Sequence, residues 1–145
     1  MIFRFTKFTG VLWILLNFAA CAHIAMGPPS EEKLMQNVKK VWDAKVNKDW
    51  GTVYDMATEA YKKSIERDAF IKASNLQISD FSIKEAKMSE SGNEGQSVVN
   101  YNIVQMGFKF NNTAREKWIW EGGEWRLAIH HGSAKSLFQS SPPAK

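Results

Sequence analysis

The sequence predicts an α+β domain in which short amphipathic helices come first and pack on one face of a curved antiparallel sheet. Three observations carry this. Apolar residues recur at helical spacing between Leu34 and Ala73. From Leu76 onward, β-branched and aromatic residues alternate with polar ones. The stretch from Arg115 to His131 then reads as a hairpin, because two glycines, Gly122-Gly123, divide two alternating runs. At 145 residues, 44% of them hydrophobic, the chain is long enough for one well-buried domain and too short for two.

Residues 1–20 read as an export signal. Arg4 and Lys7 form the positive n-region, Val11 to Phe18 the apolar h-region, and Ala19-Ala20 precede Cys21. The apolar run is shorter than the about 20 residues a membrane-spanning helix needs. Phe18-Ala19-Ala20-Cys21 resembles the bacterial lipobox, with Phe18 in place of the usual aliphatic residue. That resemblance implies lipidation of Cys21, and the uncharged Ala22 after it implies an outer-membrane lipoprotein facing the periplasm. Ala20-Cys21-Ala22 also fits ordinary signal cleavage after Ala22. Cys21 is the only cysteine, so the domain is expected to hold no disulfide. Residues 21–29 form a tether, 30–134 the domain and 135–145 a flexible tail.

Ser30 is a helix N-cap, with Glu31 and Glu32 in the first turn. Leu34, Val38, Val41, Trp42 and Lys45 then share one face, Lys45 at its edge with its ammonium in water. Asp49 caps a second helix carrying Trp50, Val53, Tyr54 and Ala57, and Ser64 a third carrying Ile65, Phe70 and Ala73. A long strand follows from Ile78 towards Met88, with a bulge near Ser79-Asp80. Ser89 to Gly95 is a turn by composition, and Gln96 to Phe110 a second long strand. Val99, Tyr101 and Ile103 take one face of it, and Val104, Met106, Phe108 and Phe110 the other. Asn111-Asn112 then serves as the turn into the tryptophan hairpin. The glycine turn sets that hairpin's register: Trp120 opposite Trp125, Trp118 opposite Leu127, Glu116 opposite Ile129.

This order of elements, with an Asn-Lys-Asp-Trp step between two helices and a closing Trp-x-Trp-x-Gly-Gly-x-Trp-Arg-Leu hairpin, resembles the nuclear transport factor 2-like superfamily. Within it, the chain is similar to small bacterial envelope lipoproteins. The resemblance spans roughly Ser30 to Gly132. It implies a cone-shaped sheet wrapped on helices (the cystatin-like arrangement), often with an apolar pocket and often dimeric. That fold hosts enzymes and non-enzymes alike.

Candidate pocket residues are Glu116, His131, Tyr54, Tyr101, Trp42, Trp118, Trp120 and Trp125. Glu116 is the most pointed of them, a carboxylate on the tryptophan face with Gly107 as its expected neighbour. A carboxylate on an apolar face is costly unless paired. Its roles divide between a pocket group tuned by His131 and a wetted rim residue beside His131 or Arg115. Tyr54 and Tyr101 divide between pocket donors and core tyrosines. None of the five aspartates follows the ketosteroid isomerase pattern, and no cofactor or metal ligand set is expected. Alternation sends His130 and His131 to opposite faces, too far apart to chelate one ion.

Charge excludes one class. Without Arg4 and Lys7, 17 basic residues stand against 15 acidic ones, with no basic stripe, so no nucleic-acid partner is expected. The expected function is an exported, lipid-anchored domain that binds an apolar small molecule or an envelope protein. The alternatives are an isomerase- or hydrolase-type enzyme using a pocket carboxylate, and a structural subunit docking through its outer sheet face. A homodimer is expected if Val104, Met106, Phe108 and Phe110 share an exposed face with Ile119.

Overall fold

Four helices precede four strands in the structure, a computed structural model describing residues 27–129. Cys21, His23, His130 and His131 lie outside the described residues, as do the signal, most of the tether and the tail. Helix α1 (Glu31–Val46) starts where Ser30 Oγ accepts the Lys33 amide at 3.3 Å. It buries Leu34, Val38, Val41, Trp42 and Lys45, the face read from spacing, together with Ala44. Helix α2 (Trp50–Asp55) starts at Asp49, whose carboxylate accepts the Thr52 amide and hydroxyl. That double bond holds the Asp49 carboxyl below its ordinary range, the hydroxyl contact lowering it most.

A short helix that the spacing did not indicate, α3 (Glu59–Lys62), capped by Thr58, precedes the expected third one, which is α4 (Arg67–Ala73) and begins after Glu66, not Ser64, with no side-chain cap. Ser64 instead donates its hydroxyl back to the Tyr61 carbonyl and closes the turn between them. Such local side-chain bonding competes with helix initiation.

The sheet is an antiparallel meander ordered β1 (Ile78–Met88), β2 (Glu94–Gln105), β3 (Phe108–Glu121) and β4 (Glu124–Ala128). The expected bulge in β1 is present between Ile78 and Asp80, with a second between Ile83 and Glu85. The tryptophan hairpin has the register set by its turn: Trp120 faces Trp125 and Trp118 faces Leu127. Gly122 and Gly123 have φ of 62° and 83°, the conformation a two-residue hairpin demands. The strand edge of β4 is covered: Leu127 donates to the Met56 carbonyl at 2.8 Å and accepts the Thr58 amide at 3.1 Å.

The other hairpin corrects the expectation. The chain turns at Met106-Gly107, with φ of 51° and 81°, and Asn111-Asn112 lies within β3. Moving the turn shifts every pairing. Ser97, not Gly107, stands opposite Glu116, and Ile103 stands opposite Phe110. Phe108 and Phe110 therefore take the same side of β3 as Glu116 and Trp118, two residues at a time, while Val104 and Ile119 take the other side. The apolar face proposed for dimerisation is thus not one surface. Phe108 and Phe110 are nonetheless exposed, at 69% and 49%, beyond the reach of the helices.

Candidate functional site

Where α1 crosses the sheet, the core contains one charged pair among the described residues. Lys45 Nζ donates to Glu116 Oε1 at 2.7 Å, and both side chains are almost fully buried. Lys45 was expected in water and Glu116 at a rim or open pocket; burial under α1 corrects both. The other oxygen, Oε2, accepts from Trp42 Nε1 at 3.0 Å and from Ser97 Oγ at 2.9 Å. Ser97 in turn accepts Trp118 Nε1 at 3.0 Å. Lys45 Nζ also lies 3.9 Å from the centre of the Trp42 ring, a cation–π contact. No buried side-chain nitrogen or oxygen lacks a partner among the described residues. A satisfied network of this kind specifies one packing of helix on sheet.

Above the network, between α4 and the sheet, lies an apolar cavity of about 60 Å³. Trp42 and Tyr101 form its floor with rings 4.8 Å apart, Phe70 and Ile65 its roof, and Ala114 of β3 part of its wall. Lys45 reaches it from α1. Burial, and then the charge of Glu116, push the Tyr101 phenol above its ordinary value. Burial does the same to Tyr61, which packs edge-on against Phe70 and also lines the cavity. The volume is well under the roughly 150 Å³ of an engineered cavity that admits benzene, so the space suits a small apolar group.

Of the sequence candidates, Trp42 and Tyr101 line this cavity and Glu116 lies beneath it. Tyr54 does not line it. Its hydroxyl donates to the Ile65 carbonyl at 2.9 Å and lies 3.2 Å from that of Lys62, pinning the α3–α4 segment as a core tyrosine. Trp118 and Trp125 are fully buried core. Trp125 Nε1 donates to the Ser30 carbonyl at 3.1 Å, and its own carbonyl accepts from Asn37 at 2.9 Å, which locks the hairpin to α1. Trp120 is half-buried and, with Trp125, Lys33 and Arg126, borders a separate, more open groove of about 500 Å³ with a mixed polar and apolar lining. His131 is outside the described residues. Sequence reasoning missed Lys45, Ser97, Trp50, Tyr61, Phe70, Leu76, Ile78 and Ala114 as parts of the site. One signal was present: a lysine on a helix's core face and a lone glutamate on the sheet's core face are complementary.

Among the described residues, no three or more His, Cys, Asp or Glu side chains are arranged to hold a metal ion. No protein-family model matches the sequence, and no curated protein matches it. Among solved structures, the chain is similar to the solution structure of a SEC-C motif containing protein from Rhodopseudomonas palustris. That likeness has a TM-score of 0.50 at 13% identity, over 61% of this chain and 69% of that one. At such identity the likeness concerns the α+β fold alone.

Proposed function

We propose that this is an exported domain, lipid-anchored through Cys21, that binds a small apolar molecule in the cavity under α4. The observation carrying the binding role is the cavity itself: an aromatic-lined space whose one charged wall residue, Lys45, is already paired with Glu116. Anchoring rests on the sequence from Arg4 to Cys21. Support for a nuclear transport factor 2-like cone comes from the two register shifts in β1, since bulges bend a strand. An enzyme of isomerase type would need a free carboxylate facing the cavity. Among the described residues none lines it, and both oxygens of Glu116 are taken.

The test is native mass spectrometry of the protein as purified from its own envelope, beside Ala114→Leu. A small bound mass present in wild type and lost from the variant, with circular dichroism unchanged, supports the reading. A wild type without any bound mass, and without shifts at the Ile78 and Ala114 methyls under xenon pressure, rejects it. Acyl mass on the Cys21 peptide tests the anchor separately.

A further inference from the structure

The hairpin between β2 and β3 outruns its neighbours. Among the described strands, β1 stops opposite Ile103 and β4 opposite Lys117, so the last pairs, Val104 with Lys109 and Gln105 with Phe108, form a two-stranded ribbon. Its end is apolar and open. Four large hydrophobic residues are exposed among the described residues, and three of them are Met106, Phe108 and Phe110. Met106 also holds the apex at a φ of 51°, where glycine would sit without strain. Backbone strain of this kind gathers at functional positions. Charge here has one sign: from Val98 to Arg115 the sequence holds Lys109 and Arg115 and no carboxylate. Lys109 pairs with Asp80 of β1 at 3.5 Å, but both side chains are more than half exposed, and such a pair is easily exchanged.

We propose that this tip is a membrane contact: Met106, Phe108 and Phe110 enter a bilayer at the boundary of headgroups and acyl chains, and Lys109 meets anionic headgroups. Area and charge select a lipid surface. At roughly 150–250 Å² for a whole aromatic side chain, the exposed parts of the three residues offer roughly 400 Å², about half of the roughly 800 Å² that each partner gives to a stable protein interface. A bilayer demands no such area, because an interfacial segment sinks only about 5–10 Å and a few side chains take part. Cations beside apolar groups, with no carboxylate in the same stretch, are complementary to anionic lipid. The contact depends neither on a lipid at Cys21 nor on the cavity under α4. Ser30, where the tether reaches the domain, is bonded to Trp125 at the other end of the sheet. A tether and a tip holding one bilayer would therefore lay β3 along its surface.

The experiment uses the exported chain with Cys21→Ser, so that no acyl chain contributes and an introduced thiol is the only one. An environment-sensitive fluorophore on Gln105→Cys, which keeps all three apolar residues, shifts to the blue on vesicles of phosphatidylethanolamine and phosphatidylglycerol. It is also quenched there by lipids brominated on their acyl chains. The same fluorophore on Ser91→Cys, in the β1–β2 turn, does neither. Phe108→Ser with Phe110→Ser lowers vesicle partitioning at least tenfold with circular dichroism unchanged. Lys109→Gln lowers it several-fold on these vesicles and leaves it unchanged on neutral phosphatidylcholine. A fluorophore at position 105 unmoved by vesicles, or partitioning unchanged in the double variant, overturns the proposal. So does a fluorophore already shielded in buffer: shielding that fades on dilution makes a second copy the cover, and shielding that persists makes it another part of the same chain.

Discussion

Strand β3 ends in two two-residue hairpins that differ in almost everything but length. At its C-terminal end, Gly122-Gly123 turns the chain into a hairpin whose Trp118 and Trp125 are fully buried and hydrogen-bonded under α1. At its N-terminal end, Met106-Gly107 turns the chain in open solvent, with Met106 itself 93% exposed. The first hairpin is fixed by what it packs against, the second by the ladder to β2 and a few exposed polar contacts. Turn geometry sets register at both ends, but only at the first is the register also enforced by a core.

The largest expected effect tests the packed end. Glu116→Gln leaves the Lys45 ammonium buried with only a neutral acceptor, and loss of about 3–5 kcal/mol is expected in urea unfolding. The double variant Lys45→Met, Glu116→Gln removes both charges yet keeps a carbonyl for Trp42 Nε1 and the Ser97 hydroxyl, and so recovers part of that loss. If the double variant is as unstable as the single, burial of an unpaired charge is not the cause.

The next two predictions set the turns against each other. Gly122→Ala meets no atom within 4 Å. Its cost is therefore conformational, about 1–2 kcal/mol for a non-glycine residue in the left-handed region. Met106→Gly goes the other way, relieving the same strain at φ 51°. Glycine's extra freedom when unfolded takes back about 0.5–1 kcal/mol, so a gain of under about 1 kcal/mol is expected. Thermal unfolding of both variants checks the pair: equal and negligible effects would mean that neither turn is strained by a side chain.

These turns also show what was legible beforehand. Gly-Gly between alternating runs can hardly be read otherwise, and the whole tryptophan register followed from it. Met-Gly carries a weaker turn signal than Asn-Asn, because methionine seldom takes positive φ and asparagine often does. Five residues of error in the turn became ten in the partner of Glu116, which is why its true neighbour, Ser97, was not foreseen. The helix face from Leu34 to Lys45 was legible because spacing alone decides it. The depth of Lys45 was not, because burial depends on which strand lies beneath. Periodicity names a face and leaves its partner open.

The smallest effect lies at the open end. Asp80, exposed, accepts from Ser79 and Asn102 and pairs with Lys109 at 3.5 Å across the sheet. Those bonds, Ser79 first, hold its carboxyl below the ordinary 3.8. A lowered folded-state value means the contribution is present above pH 3.8 and is lost as pH falls through the folded value. Asp80→Asn should therefore remove a small part of the acid sensitivity at the β2–β3 end and leave the Trp118 end unchanged. Amide shifts of Asn102 and Lys109 followed from pH 6 to pH 2 read this out.

The contacts of α1 also impose an order in time. Of the described elements this helix leaves the ribosome first, yet Trp42 and Lys45 find Glu116 only 74 and 71 residues later, and Ser30 waits 95 residues for Trp125. Until β3 and β4 exist, Leu34, Val38, Val41 and Trp42 have no strand to pack on, and an isolated helix of this length is marginal in water. The chain is expected to stay loose through most of its synthesis and to collapse late, at the slow rate that distant contacts bring. Among the described elements the first helix is completed by the last strand, which keeps this stretch of chain threadable until β4 has been made.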